Sequence, residues 1–359
     1  MATTAAPRPI DSDKLNALLG QAVADMGAAM HAPLIVIGDR LGLYRAMGNG
    51  EPMTAAELAR RTGTAERYIQ EWLNANAAAH YVEYDAAGGT YFMSPEQSFA
   101  LAQDDTGVHL PGFYHMVASC MKDEEKLTEI FRTGEGFGWH QHEKGLFEGC
   151  ERFFRPSYLA NLTSSWIPAL DGVEARLRAG ARVADVGCGH GASTLLMAQT
   201  YPQSEFFGFD YHAGSIERAR EKAEAAGLKD RVHFDVSMAQ AFPGKGYDFV
   251  ACFDCLHDMG DPAGAARHVR GALAEDGSWM IVEPFAGDDV ASNLNPVGRI
   301  FYSASTVLCV PASRSQEVGA GLGAQAGEKR IGDVVSQGGF TRFRRATETP
   351  FNLVFEARP

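Results

Sequence analysis

Val183-Ala184-Asp185-Val186-Gly187-Cys188-Gly189-His190-Gly191 is the stretch whose reading decides the fold. It joins a short apolar run, glycines at three alternate positions, and a following segment (Ala192 to Ala198) with apolar residues at helical spacing. That order predicts a strand, a tight turn and a helix start, the first unit of a nucleotide-binding α/β sheet. Glycines there let the backbone approach a ligand and aim free N–H groups at it. Gly187, Gly189 and Ala192 also spell G-x-G-x-x-A, so the glycines alone admit a dinucleotide.

Two acids narrow the ligand. Asp185 sits two residues before the first glycine, where a carboxylate repels a pyrophosphate and suits an ammonium group. Asp210 closes the next apolar run, Phe206-Phe207-Gly208-Phe209, 19 residues after Gly191. A carboxylate at the end of a second strand can take both hydroxyls of a ribose. A ribose and an amino-acid ammonium without phosphate describe S-adenosylmethionine. Its candidate contacts are Asp185, Gly187, Cys188, Gly189, Asp210 and Tyr211. Asp235 ends a third strand, Val232-His233-Phe234-Asp235, and can accept from an adenine amino group. The N–H of Val236 or Ser237 would then meet a ring nitrogen.

Further along, Tyr247 to Phe253 reads as a fourth strand, and Asp276-Gly277 as the turn before a fifth, Trp279 to Glu283. The apolar segment Val297 to Val310 is expected to be a helix over the substrate. Arg330 to Gly338 read as a helix, and Phe340–Ala346 and Phe351–Ala357 as two last strands. The expectation is an α/β class domain over 171–359 with a doubly wound, seven-stranded, Rossmann-like sheet.

Upstream, residues to about Pro9 read as a disordered tail. Leu15, Leu18, Leu19, Ala22 and Met26 predict an amphipathic helix, and a second is expected after Pro33. Thr54-Ala55-Ala56-Glu57 is a capping box for a third helix ending near Gly63, and Thr64 caps a fourth. Tyr81–Tyr84 and Thr90–Met93 flank a turn, a hairpin pattern that completes an α-helical winged helix over residues 10–110. Winged helices often bind DNA. Residues 1–110, however, carry 7 Lys+Arg against 13 Asp+Glu, and Glu66 and Glu71 oppose Arg67 on the would-be recognition helix. Duplex binding needs phosphate neutralisation, so the expectation is a dimerisation and substrate-lid domain with no nucleic-acid partner.

The intervening 111–170 read as a helical linker with an aromatic loop, Gly134 to His142, whose three glycines suggest mobility. Tyr114, His115, Phe137, Trp139 and His140 are its substrate-binding candidates. The pair His140 and His142 could suggest a metal, but no third ligand stands at a matching spacing. Cys252 and Cys255 form a C-x-x-C without a second pair, and read as small core residues. No metal is assigned.

Composition bounds the rest. The 359 residues are 45% hydrophobic and 21% charged, an ordinary globular balance. The net charge of −13 disfavours nucleic acid and anionic membrane as partners. The first residues lack a signal-peptide pattern, no apolar run approaches a membrane span, and six scattered cysteines suit a reducing, cytoplasmic setting.

With these residues in hand, the chain resembles class I S-adenosylmethionine-dependent methyltransferases. It is most similar to winged-helix small-molecule types, bacterial two-domain proteins and plant-type enzymes such as caffeic acid O-methyltransferase. Asp185 to Gly191 matches the first motif of that family. Leu256-His257-Asp258-Met259-Gly260-Asp261 looks like its L-H-D-W-S-D run, whose histidine is the catalytic base. The resemblance implies His257 as base, Glu283 as its hydrogen-bonded partner and Glu328 as a second supporting glutamate. The lysine of that family four residues before the base is Phe253 here, placed with the cofactor residues, and its tryptophan is Met259. The implied activity is methyl transfer to an oxygen or sulfur of a small-molecule acceptor by a homodimer, with carbon acceptors also open. The reading from another class is a ligand-responsive transcription regulator that uses the fold as a sensor.

Overall fold

The computed structural model describes residues 9–359, so the expected tail before Pro9 lies outside them. The chain divides into two compact units, one reaching Asp104 with His109–Tyr114, the other holding 105–108 and 115–359. The stretch expected as a separate linker therefore belongs to the second unit from His115 onward.

The first unit begins with α1 (Ser12–Arg40), followed by α2 (Leu43–Met47), α3 (Ala55–Thr62) and α4 (Glu66–Ala78). The hairpin β1 (Glu83–Asp85) and β2 (Thr90–Phe92) and helix α5 (Pro95–Leu101) complete it. Thr54 and Glu57 cap α3 reciprocally, and Gly63, at φ +67°, ends it in the left-handed conformation that glycine tolerates. The expected break at Pro33 does not occur. Helix α1 runs through the proline because Ala32, Ile35 and Val36 on either side of it are buried. Trp72 Nε1 also holds the Leu34 carbonyl, at 2.9 Å. Packing here outweighs the local cost of a helical proline.

The second unit opens with helices α6 (Leu110–Lys122, from His115), α7 (Glu124–Thr133), α8 (Gly145–Asn161) and α9 (Val173–Ala179). Strand and helix then alternate through β3 (Arg182–Val186), α10 (Ala192–Thr200), β4 (Glu205–Asp210), α11 (Ala213–Ala225) and β5 (Val232–Val236). They continue with β6 (Tyr247–Phe253), α12 (Pro262–Ala272), β7 (Leu273–Pro284), α13 (Pro296–Ala304), α14 (Val310–Arg314) and α15 (Gly327–Gln337). Strands β8 (Arg342–Glu348) and β9 (Asn352–Arg358) close the chain.

The seven strands lie in the order β5-β4-β3-β6-β7-β9-β8, parallel except for β9, which is antiparallel to both neighbours. The order reverses between β3 and β6, so a crevice opens beyond their carboxyl ends, the usual ligand position in such sheets. Core layers cover both faces, one around Trp166, Tyr201 and Phe206, the other around Phe209, Trp279 and Phe355. One expected turn is absorbed. Asp276 and Gly277 lie within β7, where the register with β6 jumps from Tyr247↔Leu273 to Phe249↔Ser278.

Candidate active site

The glycine turn leaves β3 with Gly187, Gly189 and Gly191 all at positive φ, +79°, +51° and +76°. A Cβ on Gly187 would come within 2.7 Å of Cys255 Sγ, so the turn needs glycine for space as well as for torsion. The Phe209 carbonyl accepts from the N–H of Gly187 (2.7 Å) and of Cys188 (3.1 Å), tying the turn to the end of β4. Gly189 N–H donates to Asp210 Oδ2 at 3.0 Å, and His212 N–H to Oδ1 at 2.8 Å. Burial pushes the Asp210 carboxyl up, and these two amides oppose the shift.

This turn forms one wall of a cavity of about 220 Å³. Gly187, Cys188, Gly189, Asp210, Tyr211 and Phe253 line it as candidates from the sequence, together with Trp139. Aromatic side chains from α8 add a lid, with Phe147 stacked on His212 at 4.4 Å. Among the described residues, four carboxyl side chains reach the wall, from Glu151, Asp210, Asp254 and Asp258, and no lysine or arginine does. A site so furnished suits a ligand bearing sulfonium or ammonium charge and is ill suited to phosphate. Burial works against the Glu151 charge, yet His190 (2.9 Å) and Lys222 hold that carboxyl at about 2.

Several expected residues lie elsewhere. Asp185 is fully buried off the wall, where Ser193 and Thr194 hydroxyls donate to its Oδ2 at 2.7 and 2.6 Å. Asp235 and Val236 face outward at the end of β5, Asp235 pairing with Arg220 at 3.3 Å. The wall there is made by Ser237, Met238, Ala239 and Gln240 instead, because the chain has left the sheet before it turns inward. Glu328 is on the first turn of α15, where Arg345 Nε donates to it at 2.8 Å, and it is not among the carboxylates that act on His257, which are Glu283 and Asp258. Tyr114 belongs to the first unit and bonds the Tyr81 hydroxyl at 2.9 Å.

The Gly134–His142 loop is docked rather than loose. Phe137 is buried, its N–H reaches the Pro311 carbonyl at 2.9 Å, and Gly136 lies so close to Ser315 that a Cβ would clash at 2.0 Å. The glycines serve close packing, which sequence alone does not separate from flexibility. Phe137 and His140 are off the wall; His140 meets Tyr211 edge-on at 6.3 Å. His115 lies on α6 and is likewise off the wall.

His257 and Glu283 do come together. Nδ1 of His257 is 2.5 Å from Glu283 Oε2, and Glu283 Oε1 accepts from Leu256 N–H at 3.1 Å. Burial works against the imidazolium, but Glu283 and Asp258 prevail and raise the His257 pKa well above its ordinary value. His257 is buried behind the wall; Asp258, 3.1 Å from its Nε2, is on it, with Oδ2 held by Trp139 Nε1 at 3.1 Å. Several wall residues had no role in the sequence reading, among them Glu151, Gln316 and Asp254. Gln316 bonds the Asp258 carbonyl at 3.0 Å. Asp254 has φ +48° and a buried Oδ2 without a donor, and the only signal was an acid directly after a strand at the switch point.

Comparison with known proteins agrees with this architecture. Residues 177–311 match the family described as a methyltransferase domain, and residues 29–103 that of the Rv2258c-like winged HTH domain. The chain thus carries a methyltransferase domain behind a winged helix-turn-helix domain. The 27-O-demethylrifamycin SV methyltransferase of Amycolatopsis mediterranei is 32% identical over 131 residues, 34% of this chain and 48% of that protein. The chain thus spans less than half the length of that curated relative. An O-methyltransferase family protein from Burkholderia thailandensis superposes with TM-score 0.70 at 18% identity, covering 98% of this chain and 99% of that one. Human N-acetylserotonin methyltransferase in complex with SAM gives TM-score 0.65 at 15% identity over 99% of both chains. These likenesses establish a two-domain methyltransferase fold. Among the described residues, no helix is long and apolar enough to cross a membrane.

Proposed function

We propose that the protein transfers the methyl group of S-adenosylmethionine to an oxygen of a small-molecule acceptor. The observation that carries this is the Asp210 carboxyl on the cavity wall, fixed by the Gly189 and His212 amides at the switch point. Asp210 would take the ribose hydroxyls, the glycine turn the methionyl part, and Ser237 to Gln240 the adenine. When bound, the cofactor supplies an electrophilic methyl on a sulfonium. The chain's own part is to align the acceptor, exclude water and accept a proton. Trp139, Phe147 and Phe154 shape the apolar wall, Asp258 on that wall meets the acceptor, and the neutral form of the His257–Glu283 pair behind it, favoured toward alkaline pH, takes up the proton.

Oxygen is favoured over sulfur because a phenol or alcohol must lose its proton near neutral pH, whereas a thioether has none to lose. His257→Ala should slow oxygen methylation about 10²–10⁴-fold, with partial rescue by added imidazole. A mutant that keeps most of its rate would move the acceptor to sulfur. The primary test is conversion of S-adenosylmethionine to S-adenosylhomocysteine with fractionated metabolites of the host cell. Cofactor binding without turnover across every fraction would favour a sensor. For the first unit, we propose dimerisation rather than DNA binding, since Arg67 on α4 is already paired with Glu71 at 2.5 Å.

A further inference from the structure

We propose that His257, Asp258 and Cys309 form a binding site for a borderline-soft divalent cation of the zinc class. One ligand atom from each lies within 4.8 Å of the other two, His257 Nε2 and Asp258 Oδ1 being 3.1 Å apart, and all three residues are buried. Ligands of a tetrahedral zinc ion stand about 3.3–3.8 Å apart, so the group needs only small adjustments, the 3.1 Å pair opening slightly and the longer separations, none above 4.8 Å, closing. Sequence spacing concealed it, because Cys309 follows α13 and is more than fifty residues from the other two.

Three features distinguish this group from a chance meeting of polar side chains. Asp258 Oδ1 is buried and has no aligned hydrogen-bond donor, although His257 Nε2 is 3.1 Å away. A buried carboxylate oxygen without a donor is costly unless a cation meets it. The outer partners are also in place. Glu283 holds the far nitrogen of His257 at 2.5 Å, and Trp139 Nε1 holds the other oxygen of Asp258. Carboxylate–imidazole pairing of this kind orients a histidine toward a metal and sets its tautomer. Finally, three carboxyls, from Asp254, Asp258 and Glu283, surround the single imidazole, and the nearby cavity wall offers no lysine or arginine.

A second group, Asp39, Asp104 and His109 in the first unit, shows the contrast. There Arg45 Nη2 already stands 3.4 and 3.6 Å from the two carboxylates, so the cation is supplied by the chain. At His257 the cation the chain sets between the Asp258 and Glu283 carboxylates is the imidazole's own bound proton, which a metal ion would displace. One histidine, one carboxylate and one cysteine, whose thiol burial pushes up to about 12 and which would give up its proton on binding, match the mixed N, O, S preference of zinc-class ions and are poor for magnesium or calcium. Three protein ligands leave a fourth position for water or an acceptor heteroatom. Occupancy would engage the imidazole lone pair that proton removal uses, so an ion bound here also controls that step.

The test uses the full chain stripped with a chelator and titrated with Co²⁺, whose thiolate charge-transfer absorption reports a sulfur ligand directly. One Co²⁺ per chain with that near-ultraviolet band is expected. Cys309→Ser should lose the band and bind Co²⁺ at least about tenfold more weakly, while retaining its S-adenosylhomocysteine affinity. Asp258→Asn should keep the band and weaken binding. No band in the parent, a band surviving in Cys309→Ser, or undiminished affinity in Asp258→Asn would overturn the proposal. The Co²⁺ band reports this site and the S-adenosylhomocysteine titration reports the cofactor reading, so either can fail without the other.

Discussion

Asp185 and Asp210 are both acids at strand ends beside the glycine turn, yet their surroundings give them different work. Asp210 is on the wall, and Asp210→Ala should weaken S-adenosylhomocysteine by about 2–4 kcal/mol in calorimetric titration. Unchanged affinity in a folded variant would remove it from the site. Asp185 is off the wall, and burial raises its carboxyl from 3.8 to about 6 against the opposing bonds from Thr194 and Ser193. A folded-state value above the unfolded one means that the fold holds the proton more tightly. Its stabilising contribution is present below pH ~4 and is lost as pH rises through ~6, on the order of 3 kcal/mol. Asp185→Asn should therefore gain up to about that much in urea denaturation at pH 8 and little at pH 4, with cofactor affinity kept. An equal effect at both pH values would sink this account. The turn itself was legible because torsion and space admit little besides glycine there. Asp235 was misplaced because nothing in a sequence says how many residues past a strand the chain turns inward.

At the scale of elements, strands and caps were legible where local pattern and packing agree, as at the Thr54–Glu57 box and in β6. They were not where packing overrides the pattern. Pro33 reads as a break and is carried through by burial on both sides; the Gly134–His142 loop reads as mobile and is pinned by backbone contact. Helix α1 also shows what its pattern is for. Leu15, Leu18, Leu19, Val23, Met26 and Met30 are all exposed on it, and none of the helix's residues before His31 is buried. A continuous apolar stripe of this length on an exposed helix marks an association surface, and a second copy of α1 is the partner that the dimer proposal assigns to it. Leu19→Glu with Met26→Glu should turn the dimer into a folded monomer, read by sedimentation equilibrium. A parent protein that is monomeric at micromolar concentration, or a doubly substituted one that still dimerises, would refute the assignment.

Charge acts at the scale of the whole molecule. The chain is acidic overall, with net charge −13, and its cavity continues that bias with four carboxyls and, among the described residues, no basic side chain from lysine or arginine. Burial raises Asp210, and raises Asp254 well above the carboxylate range, so in the absence of ligand the cavity holds back part of its charge as bound protons. A cation entering it favours the ionised carboxyls and releases those protons. Affinity for S-adenosylmethionine should therefore rise with pH through the raised Asp210 value and then level off. S-adenosylhomocysteine shares the ribose and the ammonium but has no sulfonium, so its affinity should rise less. Coulomb attraction at an effective dielectric near 20 makes the difference about 1–2 kcal/mol at low salt, roughly 5–30-fold in favour of the sulfonium. Calorimetry of both ligands at pH 5.5, 6.5 and 7.5, each in two buffers of different ionisation enthalpy, measures affinity and proton release together. Parallel pH profiles for the two, or affinity falling as pH rises, would mean that these carboxyls do not sense the sulfonium. The acidic wall would then have to be explained through the acceptor, as recognition of a cationic group on it.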